Sequence, residues 1–240
     1  GSTSTTLFAP TSGEPKGAAL IVLHDFYGVD EHTLRAAKRL AALGYGVLVP
    51  NLFGDKTPAA DADEIARLDF AATLSDAQIV SHIVKCVDFL AQEPSTPVGI
   101  IGWGWGGTYA LLAAAHDARL KVAGDIGGTI SYPVSTPNRP GSPLNFVADL
   151  QGALFAAFPG NDPNFPVIEV ERLRARLIEH DKQGEVKIYP DAQGRFWRDE
   201  ELPQTHALWR RLHSFLGDYI FQSEEETPFL SPQGIPDSGY

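Results

Sequence analysis

The run Val98-Gly99-Ile100-Ile101-Gly102-Trp103-Gly104-Trp105-Gly106-Gly107-Thr108 decides how the chain is read. A short apolar segment enters a cluster of glycines, and a stretch of alanine and leucine follows at once. That pattern predicts a buried strand, a sharp turn and a helix. It is the context of a nucleophile elbow, whose central residue projects an attacking side chain while the next residue's N–H helps to bind an oxyanion. Here the centre is Gly104. Glycine carries neither oxygen nor sulfur, so no acyl-enzyme forms there by the usual route. Read instead as a phosphate loop, the run lacks the Walker lysine, and its glycine spacing departs from the dinucleotide fingerprint.

Working outward, apolar runs at 18–23 and 45–49 enclose a segment, 34–43, with helical spacing at Leu34, Ala37, Leu40 and Ala41. This is one β-α-β unit. A second helix is predicted at 75–90, with Ile79, Ile83, Val87 and Leu90 on one face and Asp76 in its first turn. Further strands are expected at 98–101, 122–126, 153–158 and 186–189, and further helices near 107–115, 167–180 and 206–220. Alternating strands and helices predict an α/β fold, a mostly parallel sheet with helices on both faces. Residues 130–150 read as an irregular excursion and 222–240 as a polar tail after Glu224-Glu225-Glu226. The expected organisation is an N-terminal segment over 1–16, whose Gly1-Ser2 reads as a tag remnant, one domain over 17–221, and the tail over 222–240.

The 240 residues hold 43% hydrophobic and 10% aromatic residues, enough for a large core, and a formal net charge of −11. That balance disfavours nucleic acid and anionic membranes as partners and points to a small molecule. Cys86 is the single cysteine. It forms no internal disulfide and reads as a buried small hydrophobe, and a reducing cytoplasm is the expected compartment. The histidines show no ligand spacing, so neither a metal nor a cofactor is expected, and the chain is read as a monomer or homodimer.

Six pieces together resemble the dienelactone hydrolase family of α/β-hydrolases, over most of residues 17–220. They are Leu23-His24-Asp25-Phe26-Tyr27-Gly28-Val29, the stretch RAAKRLAALGY from Arg35 to Tyr45, Val49-Pro50-Asn51-Leu52-Phe53, the elbow GWGWGG, Phe158-Pro159-Gly160-Asn161-Asp162, and Tyr189-Pro190-Asp191-Ala192. The resemblance implies an α/β-hydrolase fold with Asp162 as the triad acid. By the same resemblance Gly104 stands at the nucleophile position and Gly194 at the histidine position. It also implies that the backbone N–H groups of Phe26 and Trp105 form an oxyanion hole. Asp25 stands where the family has an acidic residue that controls the nucleophile, and Arg198 matches an arginine that holds a substrate carboxylate.

Asp25 and Asp162 are therefore the catalytic candidates. His24, Tyr27, Trp103, Gly104, Gly194, Arg195, Phe196 and Arg198 are the substrate-binding candidates, with Trp105 and Trp197 among the aromatics expected near the pocket. The sequence reads first as a non-hydrolytic enzyme, a cyclase, cycloaddition or lyase-type catalyst, using oriented donors and carboxylate acid/base chemistry. The alternatives are a ligand-binding pseudo-hydrolase and a dienelactone-hydrolase-like esterase whose triad was altered by engineering. Arg198 and Arg195 make an acidic substrate the expected partner.

Overall fold

The computed structural model describes residues 5–11, 15–54, 56, 58, 61–92 and 95–222. Its centre is a seven-stranded sheet built from β1 (Thr5–Phe8), β2 (Ala19–Leu23), β3 (Gly46–Pro50), β4 (Val98–Trp103), β5 (Leu120–Ile126), β6 (Ala153–Pro159) and β7 (Gly184–Tyr189). The spatial order is β1-β3-β2-β4-β5-β6-β7. Only β1 runs antiparallel, pairing with β3 at the edge.

The interior strands are apolar on both faces because helices cover both. Along β2, Leu20 and Val22 point into one cluster and Ile21 and Leu23 into the other, all fully buried. Helices α1 (Glu31–Ala42) and α6 (Pro203–Tyr219) close the first face. Helices α3 (Asp76–Leu90), α4 (Trp105–His116) and α5 (Val167–Glu179) close the second. Cys86 is buried within that second layer, where desolvation pushes its thiol up to about 11. Among the described residues no helix is long and apolar enough to cross a membrane.

The order of the strands places the site. From β2 the chain crosses through α1 to β3, and from β3 it returns past β2 to pair β4 with β2 on the other side. The connections therefore diverge between β2 and β4, leaving a crevice at their carboxyl ends, where open α/β sheets bind ligands. Leu23 and Gly102 are register partners at that edge, so Asp25 and Gly104, each two residues further on, lie just beyond the ends of neighbouring strands.

The predicted strands and helices are present, with ends shifted by a few residues. The helix predicted at 34–43 starts at Glu31, because Asp30 caps it by accepting from the Thr33 N–H at 2.9 Å. The excursion at 130–150 contains a 3₁₀ helix over Pro143–Asp149. One strand and one α-helix were not anticipated. Strand β1 is short and exposed, so it lacks an apolar signature. Helix α2 (Glu64–Ala72) buries only Ala71, and its one legible signal is Asp63, whose side chain accepts from the Ala66 N–H. The predicted tail, apart from Gln222, lies outside the described residues.

Candidate functional site

The strand-to-helix turn forms as its glycines require. Gly104 has φ +52° and ψ −123°, a region open mainly to glycine. Its N–H donates to the Ile126 carbonyl at 2.8 Å, and its own carbonyl accepts from Gly107 N–H at 2.8 Å. Gly106 lets α4 approach β2, since a Cβ there would stand 2.5 Å from the His24 carbonyl oxygen.

At the tip of this turn the chain supplies its own ligand. The Asp25 Oδ1 accepts from the Phe26 N–H at 2.7 Å and from the Trp105 N–H at 2.9 Å. A side chain at Gly104 has no room, because a Cβ built there comes closer than 3.0 Å to Cγ, Oδ1 and Oδ2 of Asp25. The two donors read from the sequence as an open oxyanion pair are therefore filled by Asp25. Oδ2 of Asp25 lies 3.1 Å from Nε of Arg195, an ion-pair approach outside hydrogen-bond alignment, which leaves Oδ2 without a hydrogen-bond partner. Asp25 is only 2% exposed. Burial dominates its electrostatics and holds the carboxyl above the usual carboxylate range, against the opposing pull of the Trp105 and Phe26 N–H groups and of Arg195.

Asp25 and Gly104 open onto a cavity of about 390 Å³. Its wall also includes Phe26, Trp105, Asp162, Gly194 and Arg195 from the sequence-based candidates. Gly194, at φ +50°, faces Asp162 across open space, with Oδ2 of Asp162 3.9 Å from a Cβ built on the glycine. The other carboxylate oxygen, Oδ1, accepts from the Asn164 N–H at 2.8 Å. Arg195 is shared. Its Nη2 donates to Oε1 of Glu64 at 3.0 Å, and its guanidinium lies 4.4 Å from the Phe26 ring centroid.

Five candidates stand elsewhere. His24 is completely buried and both ring nitrogens are used, Nδ1 at 2.7 Å from the Asp25 carbonyl and Nε2 accepting from the Leu52 N–H at 2.9 Å. That pairing makes Nδ1 the protonated nitrogen, and desolvation lowers the ring to about 4, so His24 is a neutral core residue that positions the β2 loop. Trp103 points to the opposite sheet face, against His32 and Trp209. Phe196 is buried between Tyr189 and Trp197. Arg198 turns from the cavity to donate to Oδ2 of Asp30 at 2.6 Å. Asp30 is held below its usual range, where the hydrogen bonds from Thr33 and Arg198 outweigh its burial. Tyr27 lies at the rim, donating to Oε2 of Glu64 at 3.1 Å beneath the guanidinium of Arg198.

The lining residues that sequence reading passed over are Glu64, Leu68, Gly127, Thr129, Asn164 and Phe165. The first two ride on the unanticipated α2. Trp197, read only as one of several pocket aromatics, does line the wall. A larger cavity of about 530 Å³ lies between α3, α4 and the segment 140–149. Of its two carboxylates, Asp76 and Asp149, Asp76 already accepts from the Tyr109 and Tyr132 hydroxyls, and the cavity does not share its lining with the elbow. Among the described residues no group of three or more histidine, cysteine or acidic side chains is placed to hold a metal.

Comparison with known proteins agrees with this architecture. A protein from Methylorubrum extorquens named "Putative carboxymethylenebutenolidase" is 28% identical over 221 residues, 88% of this chain and 75% of that protein. One of the same name from Escherichia coli is 29% identical over 214 residues, covering 83% and 76%. The crystal structure of a "Putative Dienelactone Hydrolase" from Klebsiella pneumoniae superposes with a TM-score of 0.82 over 90% of this chain and 93% of that one, at 24% identity, and so shares the fold. The model of the dienelactone hydrolase family matches residues 4–220, and the chain belongs to that family.

Proposed function

We propose that this family member catalyses non-hydrolytic proton-transfer chemistry, an isomerisation, elimination or ring closure of a small organic substrate, with Asp25 as the acid/base. Within the family's arrangement Gly104 takes the nucleophile position and Gly194 the histidine position. The observation that carries the reading is the carboxylate of Asp25 in the space a nucleophile would fill, at the cavity wall, anchored through Oδ1 and with Oδ2 buried beside Arg195.

The chemistry follows from that placement. A carboxylate gripped by two N–H donors is held in one orientation, which favours transfer over a short fixed path. Desolvation makes it more basic than a carboxylate in water, closer to what abstraction of an activated C–H requires. In the proposed step Oδ2 takes a proton from a carbon next to a carbonyl, and the C–H pair becomes the enolate. Asp25 is then neutral, so Arg195, freed from half of its pairing, faces the new negative charge. Return of the proton from Asp25 to another carbon completes an isomerisation. Attack of the enolate carbon on a second electrophile in the same molecule closes a ring.

The test is solvent-deuterium incorporation into a panel of small ketones and lactones, followed by mass spectrometry, beside hydrolysis of a p-nitrophenyl ester and a dienelactone. Deuterium should enter carbon next to the carbonyl, and Asp25→Asn should slow entry by about a hundredfold or more, with no ester cleavage. Ester cleavage dependent on Asp25 would replace the reading with hydrolysis by an activated water. Binding without exchange would make the protein a ligand-binding member of its family.

A further inference from the structure

We infer that the cavity is built for a protonated amine, so that the substrate is a small basic organic molecule. The inference rests on the reading of this cavity as the substrate site and adds the charge of what enters it.

Three carboxylates, Asp25, Glu64 and Asp162, line the cavity with the single guanidinium of Arg195. Arg195 is consumed by two of them, at 3.1 Å from Oδ2 of Asp25 and 3.0 Å from Oε1 of Glu64. The second guanidinium near the site, Arg198, is spent on Asp30 outside the wall. Asp162 forms no ion pair among the described residues, and its Oδ2 points into the open space beside Gly194. The wall therefore has an excess of negative charge even when Asp25 carries a proton. An anionic ligand would face that excess with no free cation among the described lining residues to meet it. A cationic one would find Asp162 uncompensated and Oδ2 of Asp25 buried without a hydrogen-bond donor.

The rest of the wall suits the same ligand. Trp105, Phe165 and Trp197 provide aromatic surface near the acidic groups. Ring faces attract cations, tryptophan most strongly, and aromatic walls with a carboxylate are a recurrent answer to ammonium groups. The chain already uses this chemistry next door, where the Arg195 guanidinium lies over Phe26. An ammonium group also suits the proposed reaction, since it raises the acidity of neighbouring C–H bonds. The expectation of an acidic substrate anchored by Arg198 is thus replaced by one of opposite charge.

The test titrates the full chain with three probes of similar size and shape, phenethylamine, phenethyl alcohol and phenylacetate, by calorimetry and by tryptophan fluorescence at pH 7 and low salt. Phenethylamine should bind at least tenfold more tightly than phenylacetate, with the alcohol between, and added salt should narrow the gap. Asp162→Asn, which keeps the Oδ1 acceptor for Asn164, should weaken phenethylamine about tenfold and leave the alcohol unchanged. Glu64→Gln serves as a second variant, with a smaller loss in the same direction. Equal or tighter binding of phenylacetate, or an amine affinity indifferent to Asp162→Asn in a folded variant, overturns the inference. Because nothing turns over in this experiment, it separates from the proton-transfer reading. Amine binding without deuterium exchange leaves the charge assignment standing and removes the reaction, while exchange with a preference for anions does the reverse.

Discussion

Gly104 and Gly194 have almost the same φ, +52° and +50°, and both face the same cavity, yet their surroundings are opposite. At Gly104 the carboxylate of Asp25 fills the volume a side chain would take and accepts from both N–H donors. At Gly194 the space is open, with Asp162 the one neighbour within 4 Å of a Cβ. The first glycine is part of a filled polar site, whereas the second opens onto free space in the pocket. A glycine at a cavity wall therefore has no single structural meaning; what stands beside it decides the chemistry on offer.

The largest effect expected from this contrast is at the elbow. Gly104→Ser drives Cβ into the carboxyl group of Asp25, which must leave its two donors while still buried. Breaking a buried charged arrangement costs about 3–5 kcal/mol, and urea unfolding should show a loss of that size. Adding Asp25→Gly should recover most of it, because the collision and the displaced charge vanish together. If Gly104→Ser alone unfolds at the wild-type midpoint, Asp25 is mobile and the two glycine sites are more alike than the geometry says.

Next in size is an electrostatic effect. Asp25 must be ionised to act as a base, so the exchange rate should rise with pH through its pKa, which burial places above the usual carboxylate range. Arg195 opposes that shift by favouring the ionised form. In Arg195→Gln the rising limb should therefore move to higher pH. Arg198→Gln should move it in the same direction by less, since Arg198 acts on Asp25 more weakly and is bonded to Asp30. A limb that moves down, or does not move, would mean that Asp25 is not the titrating group.

How far the sequence carried these conclusions can be read from the same residues. The elbow was legible because Gly102 to Gly107 encode close approaches of backbone to backbone, a local signal. Strands β2 to β6 were legible because burial on both faces leaves largely apolar runs, whereas the half-exposed β7 showed only through Val186, Ile188 and Tyr189. The filled oxyanion pair was not, since it depends on where β2 and β4 end relative to each other, a matter of register. Arg198 shows the same limit: its partner Asp30 is 168 residues away, and no spacing rule reports such a pair. Trp103 and Trp105 differ by two positions yet face different layers, because a helix begins between them and the strand's alternation no longer applies.

The smallest expected effect is also the cleanest control on the comparison. Gly194→Ala introduces a Cβ with no neighbour closer than 3.9 Å, so its cost is set by the left-handed backbone, about 1–2 kcal/mol. Gly104→Ala carries the cost of its own backbone, at φ +52° and ψ −123°, plus the collision with Asp25. The difference in the cost of Gly104→Ala between the wild-type chain and the Asp25→Gly background, measured by urea unfolding in one buffer, therefore isolates the carboxylate's hold on its site. A difference of about 2 kcal/mol or more keeps Asp25 locked in the elbow. Near equality would show that the carboxylate yields its place freely, and that the two N–H donors are available to a substrate oxygen after all.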